Sequence, residues 1–139
     1  MSRRLALAVA LTAAVSSALA APLQFVVVDQ SSEALISKAQ AESVWAGLLP
    51  TERLAKLYKP SQWGFASAVE GGFTSSGVCV VTARAMMLPI WRGKMQYPPS
   101  RKSTAFDAKP NLSQAQCTEL ATAKLKEAIE SVLSGLIKD

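Results

Sequence analysis

A chain of 139 residues, half of them hydrophobic, has room for one modest core. It contains no histidine, which excludes His-based triads, Cys–His dyads and His metal sites and removes the ordinary side chain for proton transfer near neutral pH. The net charge of +5 is mild, and no nucleic-acid partner is expected from it.

The first 20 residues read as a secretory signal peptide rather than as part of the fold. Ser2-Arg3-Arg4 is a charged start, Leu5 to Val15 is an apolar run, and Ala18-Leu19-Ala20 ends in the small-residue pattern of a cleavage site. The apolar run is short for a membrane span. Cleavage would remove Arg3 and Arg4, lower the net charge from +5 to +3, and leave residues 21–139 as a single small domain without a transmembrane segment. The expected location is periplasmic or secreted. No cysteine follows the site, so lipoprotein attachment is not indicated.

Leu23 to Val28 is rich in β-branched residues and predicts a short strand, either paired with a sheet or left as an arm. Ser32 then offers an N-cap for a helix over Glu33–Leu48, closed by Gly47 and Pro50. A short helix capped by Thr51 carries Leu54, Leu57 and Tyr58. From Trp63 to Phe73 residues alternate, with Trp63, Phe65, Ser67, Val69 and Phe73 on one face, which predicts a strand. Gly71-Gly72 predicts a bulge or a close backbone approach. Thr74-Ser75-Ser76-Gly77 makes the turn of an antiparallel hairpin.

The next stretch, Gly77 to Leu88, has the strongest strand character and is expected to stop at Pro89, which has no N–H for a ladder. Cys79, Val81, Ala83, Ala85 and Met87 share one face; Val78, Val80, Thr82, Arg84 and Met86 share the other. Lys94–Tyr97 and then Ser100–Asp107 are candidates for a third strand and an edge strand, blunted by Pro and Lys. Ser113-x-x-Gln116 is a capping box, followed by Cys117, Leu120, Ala121, Leu125, Ala128, Ile129, Val132, Leu133 and Leu136 at helical spacing. This stripe should face the strand that carries Cys79, and a Cys79–Cys117 disulfide would then staple helix to sheet. Two cysteines in an exported chain favour that pairing. The fold class is α+β: a three- to four-stranded, mainly antiparallel sheet with the long C-terminal helix on one face and an N-terminal helix.

Catalytic signals are sparse. With both cysteines paired, thiol nucleophiles and zinc–thiolate sites are not expected, and no phosphate loop or cofactor motif is present. Glu70 and Asp107 are the pair of acids that glycosidase-type chemistry would need. Ser75-Ser76 with a lysine base is the other arrangement on offer, and it sits in an ordinary Ser-rich turn. No catalytic residue, metal or cofactor is therefore assigned.

One segment stands apart. Trp91-Arg92-Gly93-Lys94-Met95-Gln96-Tyr97-Pro98-Pro99-Ser100-Arg101-Lys102 holds four basic residues, two aromatics and no acid. Trp, Tyr and Arg are the residue types that carry binding energy at protein interfaces. Trp91, Arg92, Lys94, Tyr97, Arg101 and Lys102 are the candidate binding residues. The sequence points to a small exported binding protein that contacts another exported or envelope protein, such as an inhibitor, an immunity-type protein or an accessory factor. The alternative is a binder of anionic envelope polymer or membrane surface through the same basic loop. A homodimer is a further expectation if no helix covers the Arg84 face, because Val78, Val80 and Met86 would then form an apolar patch.

Overall fold

The computed structural model describes residues 24–137. The expected signal peptide and Leu23 lie outside these residues. The described chain runs β1 (Val26–Asp29), α1 (Lys38–Leu48), α2 (Thr51–Leu57), β2 (Trp63–Phe73), β3 (Val78–Trp91), β4 (Lys94–Met95), β5 (Arg101–Pro110) and α3 (Gln114–Ser134). This is the α+β class, with β1 pairing parallel to β2 and the remaining pairs antiparallel. The sheet is thus mixed, and the first strand belongs to it rather than forming a free arm.

β3 is the central strand. On one side it pairs with β2 from Trp63↔Pro89 to Phe73↔Cys79. On the other it pairs with β5 from Val78↔Pro110 to Met87↔Arg101, and with β4 through Ile90↔Met95 and Trp91↔Lys94. β4 and β5 are therefore one return strand interrupted over Gln96–Ser100. β3 does not stop at Pro89. The Ile90 N–H points toward β2 and donates to the Gln62 carbonyl, so the adjacent Pro89 position faces the interruption. The missing proline donor falls where no ladder needs it, as proline in sheets requires.

The register is continuous through Gly71 and Gly72, so there is no bulge there. The expected close approach is real: a Cβ on Gly71 would lie 2.0 Å from the Val80 carbonyl oxygen. Both faces follow the alternation. The odd-numbered face, with Phe65, Ser67, Val69, Cys79, Val81, Ala83, Ala85, Met87 and Ala105, is buried. It packs against α3 through Cys117, Leu120, Ala121, Leu125, Ala128, Ile129 and Val132, and the Cys79–Cys117 disulfide joins the two elements across a Cα–Cα distance of 5.8 Å. Closing a loop of that size stabilises by about 4 kcal/mol in the chain-entropy description.

α3 begins where its capping box lies, with the Ser113 side chain accepting from Gln116 N and Gln116 reaching back to Ser113 N. α1 begins later than Ser32 predicts. Its N-cap is Ser37, in a second capping box with Gln40. The Ser32 hydroxyl donates instead to the Val69 carbonyl, tying the segment before α1 to β2. Leu35 and Ile36 are still buried, from a turn rather than a helix. Thr51 lies inside α2 and makes no capping bond; Pro50 takes the cap position. α1 packs on α3 and β1, and Leu54 of α2 joins the same core, so all three helices lie on the odd-numbered side of the sheet.

Candidate binding surfaces

The basic, aromatic segment is a hairpin tip followed by an irregular return. Arg92 (φ 50°) and Gly93 (φ 75°) are both left-handed, the backbone of a tight two-residue hairpin turn. Trp91 and Lys94 face each other at its base. Trp91 is 66% exposed, and the Arg92 guanidinium carbon lies 5.8 Å from the centre of its ring. That is cation–π range. Tyr97 is equally open, at 62%, on the interruption between β4 and β5, next to a cis bond to Pro98.

The six candidate residues do not form one cluster. Trp91, Arg92 and Lys94 share the tip, with Tyr97 close along the chain. Arg101 pairs with Met87, four residues back along β3, or roughly 13 Å from the tip. Its guanidinium sits so near Gly135, the C-cap of α3, that a Cβ there would come within 2.5 Å of Nη1. A cation at that position suits the negative end of a helix, so Arg101 has a structural partner. It also borders an open cleft of about 500 Å³ with Tyr58, Trp63, Ser100, Lys102 and Leu136. In that cleft the Tyr58 and Trp63 rings pack edge to face, 6.1 Å apart. Lys102 pairs with Met86, so it belongs to the even-numbered face of the sheet.

Glu70 and Asp107 do not meet. Glu70 is even-numbered on β2, level with Thr82 and Phe106; Asp107 is odd-numbered on β5, level with Val81. The two carboxylates leave opposite faces of the sheet. Asp107 lies 3.8 Å from the Lys109 ammonium and 3.9 Å from that of Lys124 on α3. Lys124 in turn donates to Glu127 Oε2 at 2.6 Å. That hydrogen bond, helped by the charges of Glu127 and Asp107 and opposed by desolvation, holds the Lys124 ammonium above the usual lysine value of 10.5. Glu70 instead stands 4.0 Å from Arg84 on the exposed face.

A polar cluster that sequence reasoning did not single out joins β1, α1 and β2. Trp45 Nε1 donates to Ser67 Oγ at 2.9 Å, and Ser67 Oγ donates to Asp29 Oδ1 at 2.9 Å. Ser31 Oγ donates to the same carboxylate at 2.8 Å and accepts from Val69 N. Ser67 is fully buried, which keeps its hydroxyl from any substrate. The cluster satisfies an indole N–H inside the core and fixes the end of β1. Its signal was present: Ser67 is the one polar residue on the buried face of β2.

Among the described residues no helix lies on the even-numbered face, although Ala66, Ala68 and Leu88 on it are buried. Val26, Val28, Val78, Val80, Met86, Ile90, Met95 and Phe106 all lie on it at least partly exposed, with Phe106 open to 62%. This meets the condition under which the sequence predicts an apolar patch around Arg84.

No protein-family model matches the chain, and no curated protein matches it. Among solved structures it is similar to a PelC dodecamer from Paraburkholderia phytofirmans, at 17% identity and TM-score 0.48, over 83% of this chain and 89% of that one. A leucine-to-methionine variant of the same protein, again a dodecamer, aligns at 17% identity and TM-score 0.49, over 81% of this chain and 90% of that one. A likeness of this size transfers no residue role to the present chain.

Among the described residues no helix is long and apolar enough to cross a membrane. The disulfide is of the kind that persists in oxidising compartments.

Proposed function

We propose that this chain is an exported, periplasmic or secreted, non-catalytic binding protein that works by contact with another exported or envelope protein, as an inhibitor, immunity-type protein or accessory factor does. The observation that carries the reading is the hairpin tip. Trp91 is two-thirds exposed, has Arg92 over its ring, and stands on a tight turn at the end of the longest strand. A large aromatic left in water costs solubility unless a partner covers it, and a stiff turn loses little entropy when it binds. Export is supported by the disulfide and by the signal-peptide pattern of residues 1–20.

The second reading, an anionic polymer or membrane surface as ligand, is favoured by one fact: Trp91–Lys102 contains four basic residues and no acid. Salt separates the two. The oxidised protein is immobilised and exposed to envelope and secreted extract, with washes at low and high salt, beside the Trp91→Ala/Arg92→Ala variant. One stoichiometric protein that survives high salt and is lost with the variant supports the protein-contact reading. Retention of polymer or anionic vesicles at low salt only supports the second reading. Capture that is the same for both proteins contradicts both.

A further inference from the structure

We propose that the cleft between the start of β2, the start of β5 and the end of α3 binds an organic carboxylate with an apolar body. The Arg101 guanidinium takes the carboxylate, and the Tyr58 and Trp63 rings take the body. The cleft is separate from the hairpin tip, and the inference stands apart from the partner proposed there. Three observations carry it.

The first is how the fold gathers these groups. Trp63 pairs with Pro89 and Arg101 with Met87, so both side chains lie on the odd-numbered face, on either side of β3. Tyr58, at the end of α2, meets Trp63 edge to face at 6.1 Å. Leu136, just past α3, is buried beside them. With Ser100 and Lys102 these residues line an open cleft of about 500 Å³, within the size range of small-ligand sites.

The second is the state of Arg101. Among the described residues its guanidinium takes part in no ion pair and no hydrogen bond. It is nonetheless set in place against Gly135, where a Cβ would come 2.5 Å from Nη1 and 2.9 Å from Cζ. Gly135 has φ −78°, which any residue adopts, so what glycine supplies here is room for the guanidinium. The negative end of α3 favours a cation at that position. Arg101 is thus a planar fork with its N–H groups unspent and its place set before a ligand arrives, which lowers the entropic cost of binding.

The third is the polarity of the lining. The Arg101 guanidinium, the Tyr58 and Ser100 hydroxyls and the Trp63 indole N–H all donate, and no side chain lining the cleft is a carboxylate or an amide. A donor-rich, acceptor-poor cleft suits an anion and leaves a neutral polyhydroxylated ligand short of partners. The guanidinium fork matches the two oxygens of a carboxylate. Tyr58, Trp63 and Leu136 offer an apolar wall to the group that bears it. Lys102 belongs to the even-numbered face by register, so its charge borders the cleft rather than filling it. This chemistry has two sources, a free small acid or the apolar terminal residue of a polypeptide.

The test is an NMR titration of the isotope-labelled chain, read at the Trp63 indole N–H signal, which Trp63→Phe assigns. The probes are phenylacetate, phenylacetamide, inorganic phosphate, and a short peptide ending in phenylalanine with its terminus free or amidated. Phenylacetate should shift the signal saturably, and phenylacetamide should bind roughly tenfold more weakly or worse. Arg101→Ala should weaken phenylacetate binding by roughly tenfold or more, and Arg101→Lys by less, since it keeps the charge but loses the fork. Lys126→Ala, which removes a cation paired with Glu130 elsewhere on α3, should bind like the wild type. The remaining signals report whether each variant is folded. A free-terminus peptide that binds more tightly than phenylacetate supports the inference and assigns the cleft to a chain terminus; one that binds more weakly supports it with a free acid as ligand. The inference is overturned if neither phenylacetate nor the free-terminus peptide gives a saturable shift at Trp63. It is overturned equally if the amides bind as tightly as the acids, if phosphate binds as tightly as phenylacetate, or if folded Arg101→Ala binds like the wild type.

Discussion

β3 has two faces made from nearly the same kinds of residue, and they meet opposite fates. The odd face, Cys79 to Met87, is sealed by α3 and pinned by a disulfide. The even face, Val78 to Met86, has three apolar residues of its own and, among the described residues, meets no helix. The difference lies in what the rest of the chain supplies. α3 has a single apolar stripe and spends all of it on the odd face, and α1 and α2 join it there. The described residues supply no second layer for the other side. Burial is complete on one face; on the other Ala66, Ala68 and Leu88 are covered while Val78, Val80, Met86 and Phe106 stay partly or largely open.

The contrast can be broken most forcefully in the core. Phe65→Ala should cost about 4 kcal/mol, because a fully buried ring touching Phe25 and Trp45 is lost and a cavity remains. Phe106→Ala on the open face should stay within about 0.5 kcal/mol of the wild type, measured by urea unfolding at concentrations where the monomer dominates. Comparable losses at both positions would mean that the even face is also a core. Replacing Cys79 and Cys117 together by Ala should cost about 4 kcal/mol, mostly through the released loop, and the loss should appear as a lower unfolding midpoint with a somewhat steeper denaturant slope, because the unfolded chain exposes more surface.

Smaller effects sharpen the picture. Ser67→Ala should cost about 1–2 kcal/mol, since it leaves the buried Trp45 N–H without its acceptor, and the Trp45 fluorescence should change with it. A Ser67→Ala variant as stable as the wild type would demote the Asp29–Ser67–Trp45 cluster to decoration. The smallest effect concerns Lys124. Its ammonium is held above the usual value of 10.5 by Glu127, so the folded state prefers the charged form. The stability it adds is present below that value and is lost as pH rises through the higher folded one. Wild type and Lys124→Met should therefore converge in denaturant titrations as pH is raised from below 10.5 through the higher value of the folded state.

Much of the fold was legible because its signals are local and repeated. The β2 boundaries, the Thr74–Gly77 turn, the α3 capping box and stripe, and the disulfide all follow from period, punctuation and cysteine position. The misreadings share one cause, which is competition between local signals settled by tertiary contacts. Ser32 and Ser37 both offer caps; Ser37 wins because Ser32 is taken by the Val69 carbonyl. Pro89 is a strand breaker in sequence, yet its missing donor happens to face the gap between β4 and β5. The candidate site was half legible. Composition located the exposed Trp91, Arg92 and Tyr97, but only the register separates Arg101, turned to the end of α3, from Lys102 on the opposite face. The hydrogen bond between Trp45 and Ser67, 22 positions apart in sequence, needed the packing itself.

The most direct measurement uses a single engineered thiol, since both native cysteines are in the disulfide. Thr104→Cys places it on the exposed even face, and Ser131→Cys places a control on the exposed side of α3. The rate of labelling by a thiol reagent is followed from dilute to concentrated protein. The account predicts comparably rapid labelling of both, since no described element covers either position. A Thr104→Cys thiol protected in dilution while Ser131→Cys labels freely would contradict a sheet face left open within one molecule.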